Sequence, residues 1–455
     1  MAVNNGTPTL GDGIGEVLSA ALGYELTVGE PRQLTGGASR QTWAVDVHDA
    51  QGRSIPVVLR RDPPGQGDAD RMRGEAACLR AAAAAGVPVP ALLAAGDTAP
   101  GIDAPYLVMD KVEGEALPRR LQRDPEFAQV REHLAEDMGY AIGLIHRVDT
   151  TSLAMLDSTD PVDAIETVYR DLNEPRPTVE VGLRWLRANR PEKRPDTLVH
   201  GDFRIGNLLI DGTGITAVLD WELAHLGDPI EDLGWLCVRA WRFGAAAPVA
   251  GIGTREQLLD GYQRATGVRP SAAELHWWET FATLKWLVLS RFQAERHLGG
   301  AEYSLELAAI GRRVCESEYD LLLILDLLDE TATPASVAPR PTLHDRPELA
   351  EIFDLVSKTL TDDIAPALDG HDRERYLIRI TANLLRIAAR QVAAGDGADI
   401  ALEELLRAVG AASETNLARL LRSGIVSYTD PTVCRAISTA VLARLRVANP
   451  RHLIA

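Results

Sequence analysis

The sequence predicts an α+β fold followed by an all-helical C-terminal domain. Short apolar runs with strand character fall between residues 31 and 109 and again between 197 and 219. Apolar residues at helical spacing dominate the segments between these runs and the chain after residue 348. A stretch rich in Pro, Thr and Ala, Glu330 to Pro347, is typical of a linker and separates the last helical segments from the rest.

The N-terminal third alternates predicted helices and strands. A helix over residues 12–23 precedes two strands between Pro31 and Val47, which are joined by a Gly-Gly-Ala-Ser turn. Another strand ends at Arg60, a helix covers about 68–85, and a further strand ends at Met109. Two amphipathic helical segments follow, one after Asp124 and one within 150–195, before the next strands.

The stretch from Thr197 to Leu236 contains the chemistry-bearing side chains. Its last two apolar runs flank Asp211-Gly212-Thr213-Gly214, which predicts a β-hairpin. Three polar residues fall at predicted strand ends: Asp202 after the first strand, Asn207 before the hairpin and Asp220 after it. A short hairpin can therefore bring one amide and two carboxylates around one cavity.

Phosphoryl transfer from a nucleotide needs such a set of groups. One carboxylate, Asp202, accepts the proton of the acceptor hydroxyl, while Asp220 and the amide of Asn207 supply hard oxygen ligands for Mg²⁺. The spacing Asp-x-x-x-x-Asn equals that of the protein-kinase catalytic loop. The alternative interpretation is a polar turn region in an unrelated α/β protein.

His200-Gly201-Asp202, then Asn207, then Leu219-Asp220-Trp221-Glu222 together resemble the aminoglycoside phosphotransferase and choline-kinase-like family. The fuller stretch, HGDFRIGNLLI followed by LDWELAHLGDPIEDLGWL, is similar to one branch of that family. That branch includes the kinase domain attached to some eukaryotic acyl-CoA dehydrogenases, whose substrates are hydroxyacyl-CoA thioesters. The resemblance spans about residues 12–330 and implies a two-lobed protein-kinase-like fold and ATP-dependent phosphorylation of a small-molecule hydroxyl group.

The resemblance also implies roles for residues outside the core stretch. It places a nucleotide-covering loop at Gly36, Gly37 and Ser39, although an ordinary hairpin turn has the same composition. Arg60 stands where the family carries a phosphate-binding lysine, and the helical Glu75 would orient it; an exposed strand end and a solvated glutamate are the alternatives. Met109 and Lys111 mark the hinge, whose backbone groups would bind adenine.

These elements divide the chain into predicted domains. The nucleotide-binding lobe covers residues 12–112, the catalytic lobe 113–330, the linker 331–347 and a helical accessory domain 348–455. No catalytic cluster occurs in the accessory domain, so packing on the kinase lobes or homodimer formation is the default expectation for it, and it is expected to be separable from the rest.

Composition restricts the partners. The chain has 65 acidic and 47 basic residues and a net charge of −18, which disfavours binding to nucleic acid or anionic lipid. The four cysteines form no CxxC pair, and neither a signal peptide nor an apolar run of membrane-spanning length is recognised, so a cytoplasmic protein is expected. Two alternative functions stay open: an aminoglycoside kinase, and a nucleotide-binding pseudokinase that acts as an interaction module.

Overall fold

The structure, a computed structural model, describes residues 8–34, 40–332 and 346–453. It confirms the predicted α+β class, because the strands of the described ranges lie between Leu26 and Gly227 and the described residues that follow them are mostly helical. None of the helices in these described ranges is long and apolar enough to cross a membrane.

An antiparallel sheet forms the N-terminal part, with β3 and β4 at its centre. Its strands are Leu26–Val28 (β1), Arg32–Gln33 (β2), Gln41–Asp49 (β3), Ser54–Arg61 (β4), Leu92–Gly96 (β5) and Tyr106–Asp110 (β6). The order is β1-β3-β4-β6-β5, and β2 also pairs with β3.

Strand periodicity decides which face of this sheet each side chain takes. Val57 and Leu59 of β4 are buried in one apolar cluster with Ile14 and Leu18 of the first helix, α1 (Leu10–Leu22). Arg60, the next residue on β4, therefore lies on the opposite face, towards the helix that carries Glu75.

Two further pairs of short strands hold the central stretch. Leu208–Ile210 (β8) and Ile215–Val218 (β9) form the predicted hairpin, and Thr197–Val199 (β7) pairs antiparallel with His225–Gly227 (β10). The turn follows the prediction, since Asp211 Oδ1 accepts hydrogen bonds from the backbone N–H of Thr213 and Gly214.

Most of the remaining described residues are helical. Up to the middle of the chain the helices are Ala69–Ala84 (α2), Pro118–Arg123 (α3), Ala128–Arg131 (α4), Leu134–Ile145 (α5), Pro161–Asp171 (α6), Pro177–Ala188 (α7) and Ile230–Cys237 (α8). The later helices are Arg255–Thr266 (α9), Ala272–Leu298 (α10), Leu305–Gly311 (α11), Val314–Ile324 (α12), Leu349–Lys358 (α13), Ala365–Ala367 (α14), Asp372–Ala394 (α15), Gly397–Ala408 (α16), Glu414–Ser423 (α17) and Pro431–Ala448 (α18).

The single helix predicted after Asp124 is broken in the structure. A 3₁₀ turn and α4 precede α5, and the carbonyl oxygen of Glu132 at the break accepts a hydrogen bond from Gln257 Nε2 at 3.1 Å. At the break, a side chain from α9 therefore satisfies the hydrogen-bonding capacity of this carbonyl oxygen. The predicted apolar stripe is nevertheless buried throughout, from Phe127 to Ile145.

The chain divides into two compact units. The first comprises the residues up to Ser158, Lys193–Phe243 and Ala247–Leu275, and the second comprises Thr159–Glu192, Gly244–Ala246 and the chain from His276 onward. The first unit contains both the antiparallel sheet and the central stretch, so the candidate site lies within one unit. Neither division point coincides with the predicted boundaries at 112 and 330, and the predicted lobes and accessory domain stay predictions.

The second unit has a core that the C-terminal helices share with earlier ones. Leu417, Leu421 and Ile437 of the last two helices are buried in one cluster with Val181 of α7 and Tyr319 of α12. The expectation that residues 348–455 are separable conflicts with this packing, because their apolar faces are buried against residues that precede the predicted linker.

Candidate active site

The β8–β9 hairpin brings Asn207 and Asp220 together. Leu208 pairs with Val218, and one step further the backbone N–H of Leu219 donates to the carbonyl oxygen of Asn207 at 2.8 Å. Asp220 therefore follows directly after the residue that is bonded to Asn207. Its φ of 66° is in the left-handed region, an unusual conformation for a non-glycine residue that is typical of functional sites.

Asp202 is surrounded by hydrogen-bond donors. Its Oδ1 accepts from Trp235 Nε1 at 2.9 Å, its Oδ2 accepts from Asn207 Nδ2 at 2.7 Å, and Arg204 Nε lies 3.2 Å from both oxygens. The side chain keeps 15% of its surface exposed. The carboxylate is thus oriented from several sides while one part of it faces solvent.

The loop that carries Asp202 is held by a buried carboxylate on α8. Asp232 accepts the backbone N–H of His200 at 2.8 Å and that of Gly201 at 2.9 Å, and it lies 3.1 Å from His146 Nε2. Burial by itself would raise the pKa of Asp232. The hydrogen bond and charge of His146 and the hydrogen bond from the backbone N–H of His200 outweigh burial, so the pKa lies below its ordinary value. An ionised Asp232 therefore braces the loop that carries Asp202.

The imidazole of His200 takes one defined hydrogen-bonding arrangement. Its Nε2 lies 3.0 Å from the carbonyl oxygen of Leu219, an acceptor, and its Nδ1 lies 3.2 Å from the backbone N–H of Asp202, a donor. These partners assign a neutral ring that carries its proton on Nε2. His200 thereby links the Asp202 loop to the hairpin end beside Asp220.

Arg60 bridges the sheet, α2 and Asp220. Its Nη1 donates to Glu75 Oε1 at 2.6 Å, its Nη2 donates to Asp220 Oδ1 at 2.6 Å, and Glu222 Oε2 lies 3.5 Å from the same Nη2. Burial alone would lower the pKa of Arg60, but these carboxylates raise it overall. The predicted Arg60–Glu75 pair is therefore present, whereas Arg61 bonds Gln41 and the carbonyl oxygen of Ile102 instead.

Glu75 has a second arginine partner that the sequence did not reveal. Arg40 Nη1 pairs with Glu75 Oε2, and Arg40 Nε pairs with Asp62 Oδ1 at 3.0 Å. Asp62 in turn accepts the backbone N–H of Asp68, the N-cap residue of α2, at 2.9 Å. The chain next to the predicted Gly-rich turn is thus tied to α2.

The predicted nucleotide-contacting residues are partly described. Gly36, Gly37 and Ser39 lie outside the described residues. Met109 is buried on β6, and the backbone N–H of Lys111 donates to the carbonyl oxygen of Pro56 at 2.9 Å. That N–H already has a partner in the sheet, so it is poorly suited to bind adenine.

The side-chain oxygens of Asn207 and Asp220 at the hairpin are suitable ligands for a small divalent cation. The amide nitrogen of Asn207 faces Asp202, which turns the amide oxygen away, and the Asp220 side chain is 31% exposed. Within the described ranges no three His, Cys, Asp or Glu side chains are grouped as a metal cluster. A Mg²⁺ ion that is bound largely by phosphate oxygens and water needs only one or two protein carboxylates, which matches this set.

Sequence reasoning missed Arg204, Trp235 and Trp241. The guanidinium carbon of Arg204 lies 5.1 Å from the ring centroid of Trp241, whose ring lies 5.2 Å from that of Trp235. Arg204 lies between Asp202 and Asn207 and carries a charge, so it could have been recognised from the sequence as a site residue. The two tryptophans lie more than thirty residues beyond Asp202, and no local pattern links them to it.

Two family models match parts of the chain. The sequence model of the phosphotransferase enzyme family matches residues 30–277, which is more than half of the chain. A second model, described as a domain of unknown function (DUF6285), matches residues 366–452.

The curated relatives are longer proteins. Acyl-CoA dehydrogenase family member 10 of Mus musculus is 31% identical over 266 residues, which are 52% of this chain and 24% of that protein. Acyl-CoA dehydrogenase family member 11 of Gallus gallus is 26% identical over 325 residues, 64% of this chain and 40% of that protein. The chain thus spans less than half the length of either relative.

A solved structure shares the fold. The crystal structure of a putative aminoglycoside phosphotransferase from Ralstonia eutropha superposes with a TM-score of 0.53 at 22% identity, over 68% of this chain and 98% of that one. The predicted kinase-like fold is confirmed by this similarity and by the family match.

Proposed function

This chain belongs to the phosphotransferase enzyme family, and we propose that it transfers the terminal phosphoryl group of ATP to a hydroxyl group of a small molecule. The observation that carries this proposal is the convergence of Asp202, Asn207 and Asp220 at the β8–β9 hairpin, with Arg60 bonded to Asp220. Positioning and charge neutralisation provide most of the catalysis in such transfers, and this arrangement supports both.

Asp202 receives the acceptor in this proposal. It accepts the proton of the hydroxyl group as the hydroxyl oxygen forms its bond to the terminal phosphorus and the bond between that phosphorus and ADP breaks. The Trp235, Asn207 and Arg204 donors keep the carboxylate in one orientation, so an acceptor can bind with its oxygen already aligned.

Arg60 and the hairpin ligands hold the nucleotide. Arg60 would bind phosphate oxygens, and Glu75 keeps its guanidinium at the required position. Asn207 and Asp220 would hold Mg²⁺, which neutralises charge on the phosphates. Arg60 pairs with Asp220, so its charge and that of a cation held by Asp220 would both stabilise negative charge on the phosphates.

The acceptor that the site favours is anionic and partly apolar, such as a hydroxyacyl-CoA. From Leu233 to Phe243 the chain beside Asp202 carries three aromatic residues, two arginines and no acid, and Arg204 adds a further positive charge. The relatives are named acyl-CoA dehydrogenases, which supports an acyl-CoA compound as the acceptor. An aminoglycoside, a polycation, would require an acidic surface there.

The third alternative, a pseudokinase that only binds nucleotide, is disfavoured by the complete set of polar groups. Each of Asp202, Asn207 and Asp220 is present, and Arg60 takes the contact to Glu75 that a lysine makes in kinases. A homodimer and a cytoplasmic location stay predictions from the sequence.

A turnover assay tests the proposal. ADP release by the full chain is measured with Mg–ATP and one of three acceptors: short-chain hydroxyacyl-CoA thioesters, the same acyl-CoAs without the hydroxyl group, and an aminoglycoside. We expect release above background with the hydroxylated thioesters alone, and a phosphorylated product by mass spectrometry. Turnover with the aminoglycoside alone would overturn the acceptor assignment, and binding of ATP without turnover on any acceptor would favour the pseudokinase.

A further inference from the structure

The guanidinium group of Arg204 is confined on three sides. Its Nε lies 3.2 Å from both carboxylate oxygens of Asp202, and its central carbon lies 5.1 Å from the ring centroid of Trp241. Its Nη1 lies above Gly206, where an added Cβ would come within 2.5 Å of it. These contacts give a long, flexible side chain one defined position next to the reacting carboxylate.

The contact between Arg204 and Asp202 uses Nε alone. An arginine whose task is to neutralise a carboxylate typically makes two parallel hydrogen bonds to the two oxygens. Here the two terminal nitrogens are not the atoms that contact Asp202, and the side chain keeps 28% of its surface exposed. Asp202 therefore does not occupy the terminal N–H groups of Arg204, which are the atoms that could bind an oxygen of another molecule.

We propose that Arg204 is the acceptor-binding residue that sets specificity: its terminal nitrogens bind a carbonyl or carboxylate oxygen of the acceptor, while Asp202 receives the hydroxyl group. This inference rests on the proposed phosphoryl transfer and adds a recognition step to it. The substrate class that it selects is an acyl compound that carries a hydroxyl group near its carbonyl group.

The spacing of the two subsites follows from ordinary bond lengths. The acceptor hydroxyl lies within about 3 Å of the Asp202 carboxylate, and the second acceptor oxygen lies about 3 Å from the Arg204 terminal nitrogens. Since Arg204 Nε is itself 3.2 Å from that carboxylate, the two subsites adjoin each other, and one short acyl chain is long enough to place an oxygen in each. Hydroxyl and carbonyl oxygens that are a few carbon atoms apart in an acyl chain meet this condition.

A substrate pair isolates the proposed contact. One compound is a short-chain hydroxyacyl-CoA thioester, and the other is its thioether analogue, in which a methylene group replaces the carbonyl group. We expect the wild-type chain to bind the thioester about 10- to 100-fold more tightly, the range for one charge-assisted hydrogen bond. Arg204→Gln should lose this preference and keep its affinity for Mg–ADP, both measured by calorimetry.

Two further variants separate recognition from folding. Gly206→Ala keeps Arg204 but displaces its terminal nitrogen, a shift that a flexible side chain makes at low cost, so it should reproduce part of the loss. Arg194→Gln is the matched control, because Arg194 is also 28% exposed but pairs with Glu274 elsewhere in the same unit. It should bind both compounds as the wild-type chain does.

The outcomes distinguish this inference from the proposed function. If the wild-type chain binds the thioester and Arg204→Gln retains the full preference over the thioether, the role of Arg204 is wrong and the phosphoryl transfer is untouched. If Arg194→Gln also loses the preference for the thioester over the thioether, the preference depends on the overall charge of the protein and not on a contact with Arg204, and the inference fails. If the wild-type chain binds neither compound, the hydroxyacyl-CoA acceptor is wrong, and the role of Arg204 falls with it.

Discussion

At the scale of single residues, Asp202 carries the most direct test of the proposed chemistry. Asp202→Asn retains an oxygen that can accept the Trp235 hydrogen bond but loses the charge that takes up a proton. We expect turnover to fall by roughly 10²–10⁴-fold, the usual worth of general-base assistance, while ATP affinity stays unchanged. Steady-state kinetics and calorimetry on the same preparation measure the two quantities.

The control for this variant is Asp196→Asn, which removes a carboxylate that pairs with Lys193 at an exposed position. It should leave both quantities unchanged. Near-wild-type phosphoryl transfer by Asp202→Asn would contradict the mechanism.

Asp220 is predicted to be needed for binding of the metal-bound nucleotide. Asp220→Ala removes a proposed Mg²⁺ ligand and also the carboxylate that holds Arg60 Nη2 at 2.6 Å. Affinity for Mg–ATP should fall markedly, and the difference between affinities with and without Mg²⁺ should disappear. Calorimetric titrations with and without Mg²⁺ measure this difference, and an unchanged Mg–ATP affinity would rule out the assignment.

Asp232 should make stability depend on pH in the acid range. Its folded pKa lies below the ordinary value of 3.8, so its ionised form contributes stability above that value. This contribution is lost as the pH falls through the lower, folded pKa. Melting temperatures of the wild-type chain should therefore fall steeply below about pH 4, and those of Asp232→Asn should fall less steeply. Equal slopes for the two proteins would refute the role of this carboxylate.

At the scale of elements, the Asp202 loop depends on a glycine. Gly201 has a φ of 80°, and a Cβ at this position would collide with the backbone carbonyl of Leu223, which cannot move aside cheaply. Gly201→Ala should cost about 1–3 kcal/mol of stability and most of the activity, because strain and displacement both act on the loop. Thermal melts and turnover assays measure the two effects.

Gly212, in the β8–β9 turn, provides the comparison for that substitution. An added Cβ there meets nothing within 4 Å, so Gly212→Ala should leave both stability and turnover close to wild type. Similar losses in the two variants would indicate that the loop tolerates no alanine for reasons other than the contact with Leu223.

At the scale of the whole molecule, the C-terminal helices are expected to be indispensable for the second unit. Leu417, Leu421 and Ile437 are buried against Val181 and Tyr319, so removing residues 348–455 would expose an apolar core. A chain that ends at Pro347 should be less soluble and melt at a lower temperature by circular dichroism. A truncated chain that melts as the full chain does would restore the idea of a separable domain.

The sequence by itself determined the elements and the central part of the site. Short apolar runs predicted the strands, and the Asp-Gly-Thr-Gly turn predicted the hairpin that joins Asn207 to Asp220. These predictions succeed because the groups concerned are close along the chain, so local geometry brings them together whatever the rest of the molecule does.

Only the tertiary structure decided which distant residues complete the site and the core. Trp235 reaches Asp202, His146 reaches Asp232 and Arg40 reaches Glu75 across separations of 33, 86 and 35 residues. An amphipathic pattern predicts that a helix buries one face but does not specify its partner, so the sequence did not show that the C-terminal helices share a core with Val181 and Tyr319. Long-range pairing follows from how all the buried faces pack at once, and no single stretch of sequence contains that information.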